Sequence, residues 1–174
     1  MLLPNMSESL GVWLATETYS GTGGERTISA TELLKSVRQI VLSRRVDSAQ
    51  VTPNLNSLIA SRIGVAIHDA IRLSWVNPTR IKALEALGLP AHKYVVNPEG
   101  PVPDGMIDVR TEQRTDKVID GWTVSGEYDL VIAGQLMDTK TTKGFVIQKR
   151  LHDAKWMMQG SIYWWLNLEV ITDV

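Results

Sequence analysis

Alternating apolar and polar positions mark two stretches near the middle of the chain as strands. Residues alternate with a period of two from Val124 to Ile132 and again from Leu136 to Thr142, the spacing that places every second side chain on the same face of a strand. Ala133 and Gly134 separate the two stretches and suit a two-residue hairpin turn, because glycine tolerates positive φ. The sequence therefore predicts an antiparallel hairpin.

A two-residue turn fixes which side chains face each other across this hairpin. It places Asp129 opposite Asp138 and Glu127 opposite Lys140, with opposed Cβ atoms about 4.5–5.5 Å apart. Two carboxylates at that distance repel each other unless a cation lies between them, and divalent cations bind oxygen ligands. A four-residue turn would keep these side chains on one face but shift which residues are paired. A three-residue turn or a bulge would break the arrangement. The alternative is a set of solvated charges on an exposed strand.

A third strand is predicted before the hairpin, from Met106 to Ile119. Asp120-Gly121 follows it and is a strong signal for a second two-residue turn. That turn would place Glu112 opposite the first aspartate of the hairpin, so that three carboxylates form a row across adjacent strands. The alternative for Glu112 is an exposed ion pair with Arg110 or Arg114, which contributes little to stability.

Helical spacing of apolar residues predicts the elements on either side of the strands. Ser29 and Glu32 fit a capping box at the start of the first helix. The predicted helices run from Ser29 to Arg45, from about Asn56 to Trp75, from Pro78 to Gly88 and from about Val146 to Leu168. The final residues, 169–174, resemble the start of another strand, which is compatible with a natural chain that continues beyond Val174.

The second predicted helix carries a candidate ligand. Gly64 and His68 lie one turn apart on one face, and glycine lets a helix approach a neighbouring sheet closely. A histidine there can reach a metal held by the sheet; the alternative is a surface histidine or one satisfied within the core. The apolar residues predicted to form the buried stripe of this helix are Ile59, Ile63, Ala66, Ile67, Ala70 and Ile71.

The last predicted helix has two distinct faces. An apolar stripe is formed by Met158, Ile162 and Trp165. On another face, successive i, i+4 steps connect Lys155, Gln159 and Tyr163. A polar and aromatic stripe of this kind suits a DNA backbone and stacked bases, and the alternative is a solvated face with its tyrosine half-buried.

Composition narrows the class of protein. The 174 residues, 44% hydrophobic and 21% charged, fit one globular domain with a real core. The net charge of −1 means that nucleic-acid binding would depend on a local patch. The absence of cysteine excludes disulfides and thiolate metal sites and is compatible with the cytoplasm. Neither a run of about 18 apolar residues nor a secretory signal is evident, so no membrane association is predicted.

Together these patterns predict an α/β protein in which a central mixed sheet, built on an antiparallel three-stranded meander, is flanked by helices. Residues 1–26 are predicted to be an N-terminal extension and residues 27–174 the domain. The sequence leaves the oligomeric state open.

Four motifs in this order, each on the expected element, resemble the RecB-type branch of the PD-(D/E)XK nucleases. They are Gly64-x-x-x-His68, Gly126-x-x-Asp129, Asp138-x-Lys140 and Gln159-x-x-x-Tyr163. The resemblance covers roughly Ser29 to the C-terminus and implies a restriction-endonuclease-like core. Some relatives hold an iron–sulfur cluster through cysteines, which this chain cannot do.

The resemblance also implies roles for these residues in a DNA nuclease. Magnesium or manganese (Mg2+ or Mn2+) would bind to His68, Asp129 and Asp138, with a backbone carbonyl such as that of Thr139 as a further ligand. Lys140 would be catalytic, and Glu112 occupies a position where relatives often have an acidic residue. The DNA strand would be held by Gln159, Tyr163 and Lys155.

The expected activity is that of an end-processing exonuclease in recombination, repair or phage DNA metabolism. A helicase or recombination partner would be a separate protein, because no helicase motif is present. The alternatives are a non-catalytic DNA-binding or assembly module on a nuclease fold, a structure-specific endonuclease, and a metal-dependent hydrolase of small phosphate esters. A Gly-rich phosphate cradle, which would favour the last of these, is not found in the sequence.

Overall fold

The computed structural model describes residues 7–16, 24–46 and 55–174. Its helices are α1 (Glu8–Ala15), α2 (Val37–Arg45), α3 (Leu55–Val76), α4 (Arg80–Ala86), α5 (Gly144–Gln148) and α6 (Asp153–Leu166). Its strands are β1 (Thr27–Ser29), β2 (Tyr94–Val96), β3 (Ile107–Ile119), β4 (Trp122–Ile132) and β5 (Gln135–Met137).

In the described part of the chain, five strands form one mixed sheet in the order β1-β4-β3-β2, with β5 also paired to β4. The long strands β3 and β4 are antiparallel. β1 pairs in parallel with the first half of β4, and β5 pairs antiparallel with its last three residues. The predicted α/β class with a mixed, helix-flanked sheet is confirmed. The sheet is not a simple meander, however, because β1 and β5 share one side of β4 and β2 adds in parallel to β3.

Both predicted two-residue turns are confirmed by the register of the strands they connect. Asp120 and Gly121 have φ of 49° and 75°, and Ala133 and Gly134 have φ of 52° and 81°. Two successive positive values are those of a type I′ turn, whose twist matches that of the flanking strands. Ile119 accordingly pairs with Trp122, and Ile132 pairs with Gln135.

The strand after the second turn is shorter than predicted. β5 ends at Met137, whereas the alternation extended to Thr142. The predicted pairing of Glu127 with Lys140 is therefore wrong. Glu127 instead accepts a hydrogen bond from Arg114 Nε at 2.9 Å.

The first predicted helix begins seven residues later than its capping signal indicated. Ser29 and Glu32 do exchange the two hydrogen bonds of a capping box, at 3.1 and 3.3 Å. Ser29 nevertheless belongs to β1, where it pairs with Ser125 of β4, and residues 30–34 form turns. A second capping box, between Ser36 and Gln39, starts α2.

The last predicted helix is two helices. Arg150 has a φ of 52°, in the left-handed region that L-residues rarely adopt, and it separates α5 from α6. The third predicted helix begins at Arg80 instead of Pro78, because the Asn77 side chain accepts hydrogen bonds from the amide and hydroxyl of Thr79 in a local turn.

The buried core lies between α6 and the sheet. Its cluster contains Ala30, Tyr128, Val131, Tyr163 and Ile171. The last residues of the chain reach the sheet here, where Asp173 forms an isolated parallel bridge with Gln135 of β5. The strand-like pattern at the end of the sequence therefore corresponds to a single bridge.

Helix α3 lies on the sheet with a different face from the one predicted. Ile59, Ile63 and Ile67 of the predicted buried stripe are 36%, 46% and 37% exposed. The side chains directed at the sheet are His68 and Arg72, which contact carboxylates on β4 and β3. These polar contacts orient the helix, so the prediction of a buried isoleucine stripe is wrong.

Part of the predicted N-terminal extension packs against α3. Leu14 of α1 is fully buried, and Arg62 of α3 donates hydrogen bonds to the carbonyl oxygens of Leu14 and Thr16. The boundary between extension and domain stays a prediction. Within the three described ranges, no helix combines the length and the apolar character needed to cross a membrane.

Candidate functional site

Three elements converge on the carboxylate of Asp129. Asp129 lies on β4, and His68 Nδ1 of α3 is 3.0 Å from its Oδ2. The amide of Thr139, in the segment that follows β5, donates a hydrogen bond to the same oxygen at 3.4 Å. Thr139 contacts this carboxylate through its N–H group, whereas its carbonyl was the group predicted to bind a metal.

Asp138 and Lys140 complete the cluster from the same segment. Lys140 Nζ lies 2.7 Å from Asp138 Oδ2. The ladder between β4 and β5 reaches Leu130 and Met137, so Asp129 and Asp138 are the next residues on their two strands. The two carboxyl groups are close enough for Asp138 to raise the pKa of Asp129. The two-residue turn therefore brings both aspartates together, and we call His68, Asp129, Asp138 and Lys140 the acidic cluster.

The electrostatics of the acidic cluster are those of crowded carboxyl groups. The pKa of Asp129 is raised to about 6, first by burial and then by the charge and hydrogen bond of Asp138. The positive charges of His68 and Lys140 oppose this rise without cancelling it. Raised carboxyl pKa values of this origin are common at functional sites. An additional positive charge at the cluster would be stabilised.

Glu112 lies beside the acidic cluster with a different partner from those predicted. By register it faces Asp129, but its φ of 45° interrupts the ladder between the flanking pairs. Its Oε2 lies 2.8 Å from Arg72 Nε of α3, while Arg110 and Arg114 pair with Asp108 and Glu127. Partial burial raises the pKa of Glu112, and the Arg72 charge opposes this.

The donors of the acidic cluster fit a divalent cation by their chemistry. They are two carboxylates and one imidazole, a set that suits magnesium or manganese. A cavity of about 10 Å3 lies among His68, Glu112, Asp129 and Thr139, roughly the room that one water molecule needs. Among the described residues, however, no group of three or more His, Asp or Glu side chains has the geometry to hold a metal ion. The side chains instead contact one another in pairs.

A larger cavity of about 430 Å3 opens on the α3 side of the acidic cluster. It is bounded by α3, by β1 and the turn after it, and by the sheet. His68 and Asp129 line one end, and Ser125 and Tyr163 line it as well. The Ser125 side chain is buried, and its hydroxyl has no hydrogen-bond partner.

The three predicted substrate-binding residues of α6 are placed differently from one another. Gln159 and Tyr163 are 7% and 6% exposed, and Gln159 Nε2 donates a hydrogen bond to the Tyr163 hydroxyl at 2.9 Å. This pair forms the buried face of the helix, whereas Met158 of the predicted apolar stripe is 53% exposed. Lys155, one turn earlier, is exposed. The alternative of a solvated face is therefore wrong for Gln159 and Tyr163, and the substrate-binding role of the three residues stays a prediction.

A second open cavity, of about 490 Å3, lies on the other side of the acidic cluster, between β5 and α6. Asp138 and Lys140 line one end, and Trp156 and Met157 line the helix side. We call this cavity the α6 groove. Two residues at the site were not predicted from the sequence: Trp156 in the α6 groove and Arg72, the partner of Glu112. Arg72 carries a readable signal, because it lies one helical turn after His68 and on the same face.

Gly126 shows how closely α6 approaches the sheet. A Cβ atom at this position would lie 2.5 Å from Leu166 Cδ1 and 3.2 Å from Tyr163 Cδ1. We expect Gly126→Ala to lower the free energy of unfolding by about 1–3 kcal/mol, as overpacking does, in urea denaturation. Gly144→Ala is the matched control, because its Cβ would meet nothing within 4 Å. Equal stability of the two variants would show that the helix can shift away from the sheet.

Comparisons of this chain with models of protein families, with curated proteins and with solved structures gave no match. The functional assignment therefore depends on the chemistry and the geometry of the residues themselves.

Proposed function

We propose that this protein is a divalent-metal-dependent DNA nuclease with a restriction-endonuclease-like core. The observation that carries the proposal is the convergence of His68, Asp129, Asp138 and Lys140 from α3, β4 and the segment after β5. The hairpin register brings Asp129 next to Asp138, but His68 comes from a helix about 60 residues earlier in the sequence and no hairpin geometry requires it to contact Asp129. Their meeting has a cost, because burial and the neighbouring carboxylate raise the pKa of Asp129 to about 6.

Each residue of the cluster has a role that its chemistry supports. Magnesium or manganese would be held by His68, Asp129 and Asp138, and when bound would lower the pKa of a water molecule and shield the scissile phosphate. Lys140, at 2.7 Å from Asp138, would orient the water and stabilise the negative charge that develops in the transition state. Glu112 is an additional acidic group, which its ion pair with Arg72 holds beside the cluster.

Binding of the DNA strand is proposed to involve the helix next to the cluster. Lys155 is exposed on α6 and suits a backbone phosphate. Tyr163 lines the cavity that contains Asp129, and Gln159 holds its hydroxyl. Gln159 and Tyr163 would therefore shape the wall of the site rather than present an open stripe to the strand.

We propose that the substrates are DNA ends. Endonucleases that recognise a sequence read base edges with dedicated elements, and the strands of the described ranges all belong to one sheet. Recombination, repair and phage DNA metabolism are the processes that use such an activity. A helicase or recombination protein is the partner that would supply or take up the DNA strand.

Linear and closed circular DNA of the same sequence distinguish the possible activities. With manganese, we expect the linear form to be degraded to nucleotides while the circle stays intact, and chelator to stop the reaction. Rapid nicking of the circle would indicate a structure-specific endonuclease. Survival of both forms with magnesium and with manganese would contradict the proposed nuclease.

A non-catalytic DNA-binding or assembly module is the second candidate. One observation favours it: the side chains of the acidic cluster pair with one another, and among the residues described none form a ready metal-holding group. The two candidates differ in their response to metal. A nuclease centre predicts that manganese stabilises the protein by binding to the folded state, and a module of this kind predicts no such effect.

A further inference from the structure

The α6 groove begins at the acidic cluster. Asp138 and Lys140 line its charged end, and their side chains are 17% and 28% exposed. The other walls are formed by Leu136 of β5 and by Trp156 and Met157 of α6. Its volume of about 490 Å3 falls within the range of roughly 300–1,000 Å3 that is usual for small-ligand sites.

The apolar part of the α6 groove includes the indole of Trp156. Trp156 is half-buried and contacts the His152 ring with a centroid distance of 5.8 Å in an edge arrangement. The partial burial and this ring contact limit the freedom of the indole. Met157 beside it is 69% exposed, and its flexible thioether can adapt to rings of different size.

The occupant that fits this groove has a negative charge at one end and a flat ring at the other. Lys140 supplies a positive charge for a phosphate group at an end that it shares with its ion-pair partner Asp138, 2.7 Å away, and the indole supplies a stacking surface for a base. A base within a duplex already stacks on its neighbours and pairs with the opposite strand, so it cannot enter the groove without leaving the helix. The chemistry selects an unpaired nucleotide.

We propose that the α6 groove binds an unpaired nucleotide of the substrate strand, with its base stacked on Trp156 and its phosphate at Lys140. This inference rests on the proposed function, because it places the nucleotide beside the reacting phosphate. It makes single-stranded or frayed ends the preferred substrate class. Trp156 is then the residue that determines the preference for single-stranded over duplex DNA.

Fluorescence of aminopurine, which falls when the base stacks, tests the groove without any cleavage. The probes are a short single strand with aminopurine at one terminus, a second with it at the other, and the matching blunt duplexes, all with calcium in place of manganese. We expect the wild-type protein to quench a single-strand probe and to bind it at least about tenfold more tightly than the duplex. Trp156→Ala should weaken this binding about tenfold and abolish the quenching, as the loss of one base–aromatic stack predicts.

Two further variants separate stacking from folding. Trp156→Phe retains an aromatic face and should retain most of the quenching. Trp164→Ala removes an indole that is 43% exposed on the same helix and should bind like the wild type. Thermal unfolding of each variant shows whether it is folded.

The possible outcomes distinguish this inference from the proposed nuclease activity. Unchanged quenching and affinity in a folded Trp156→Ala variant overturn the groove assignment, even if DNA is cleaved with manganese. Equal binding of single strand and duplex by the wild type, or no binding at all, also overturns it. If quenching depends on Trp156 but the protein cleaves no DNA, nucleotide binding in the α6 groove is supported and the proposed nuclease activity is contradicted.

Discussion

Replacement of Lys140 by alanine is expected to slow DNA cleavage by a factor of about 10²–10⁴ while the protein remains folded. Lys140 is the amine at the acidic cluster, 2.7 Å from Asp138, and in the proposed nuclease its charge would act on both the water nucleophile and the negative charge that develops on the phosphate. Loss of one such group typically costs about 10²–10⁴ in rate. The measurement is the single-turnover rate on end-labelled DNA with saturating manganese.

Lys143→Ala is the matched control for Lys140→Ala. Lys143 is an exposed lysine of the same segment, at the N-cap of α5. We expect this variant to cleave within about twofold of the wild type, because surface substitutions away from a site have small effects. Equal rates for Lys140→Ala and the wild type would show that this lysine is not catalytic.

Replacement of Asp129 by asparagine is expected to stabilise the protein in chelator at pH 7. The pKa of Asp129 is raised from 3.8 to about 6, so the folded protein holds this proton more tightly than the unfolded chain does. Ionisation of Asp129 therefore destabilises the fold. This destabilisation is complete above about pH 6, decreases as the pH falls through that value, and is gone below the unfolded value of 3.8.

The expected gain for Asp129→Asn at pH 7 is about 1–2 kcal/mol, or roughly 3–6 °C in melting temperature. This gain is smaller than the free energy that corresponds to the full pKa shift. The Asp129 side chain is 31% exposed, and solvent weakens its interactions with the neighbouring charges. At pH 4 the wild type and the variant should melt together. Asp116→Asn, an exposed aspartate of β3, should show no gain at either pH.

Manganese should reverse the order of stability at pH 7. In the proposed nuclease the wild type would gain stability because the metal would bind only to the folded state, whereas Asp129→Asn would lack one ligand and gain little. Lower stability of the variant in chelator at pH 7 would contradict the assigned electrostatics. An equal response of both proteins to manganese would contradict the assigned ligand.

The parts of the site that the sequence predicted are those fixed by local turns. Asp120-Gly121 and Ala133-Gly134 each form a two-residue turn, and such a turn determines the register of its strands. That register alone brings Asp129 next to Asp138. The end of β5 at Met137 depends on pairing with other segments, so Lys140 lies beside Asp138 instead of opposite Glu127.

The parts that the sequence did not predict are decided by contacts between distant elements. The isoleucines of α3 are spaced as on one face of a helix. The residues that orient this helix on the sheet, Asp129 and Glu112, lie on β4 and β3, far from α3 in the sequence. Two capping boxes lie near the start of the first helix, one at Ser29 and one at Ser36. Because Ser29 pairs with β4, the helix begins at the second of them. Arg150 adopts its left-handed conformation with neither glycine nor proline to mark it.

The buried face of α6 illustrates a further limit. Gln159 and Tyr163 are polar by composition, yet their mutual hydrogen bond of 2.9 Å satisfies both groups and allows them to be buried. A periodic pattern of polar residues does not reveal such pairs. The helix side of the α6 groove is formed by Trp156 and Met157, neither of which belongs to the predicted apolar stripe of Met158, Ile162 and Trp165.

Release of labelled nucleotides from DNA ends by the wild type and by Asp138→Asn is the most direct test of a metal-dependent nuclease centre at the acidic cluster. Asparagine preserves the size of Asp138 and removes the charge that faces both Asp129 and Lys140. We expect release by the wild type with manganese, none with chelator, and a rate at least about a thousandfold lower for the variant. Release that persists in chelator, or that is equally fast in Asp138→Asn, would contradict the assignment.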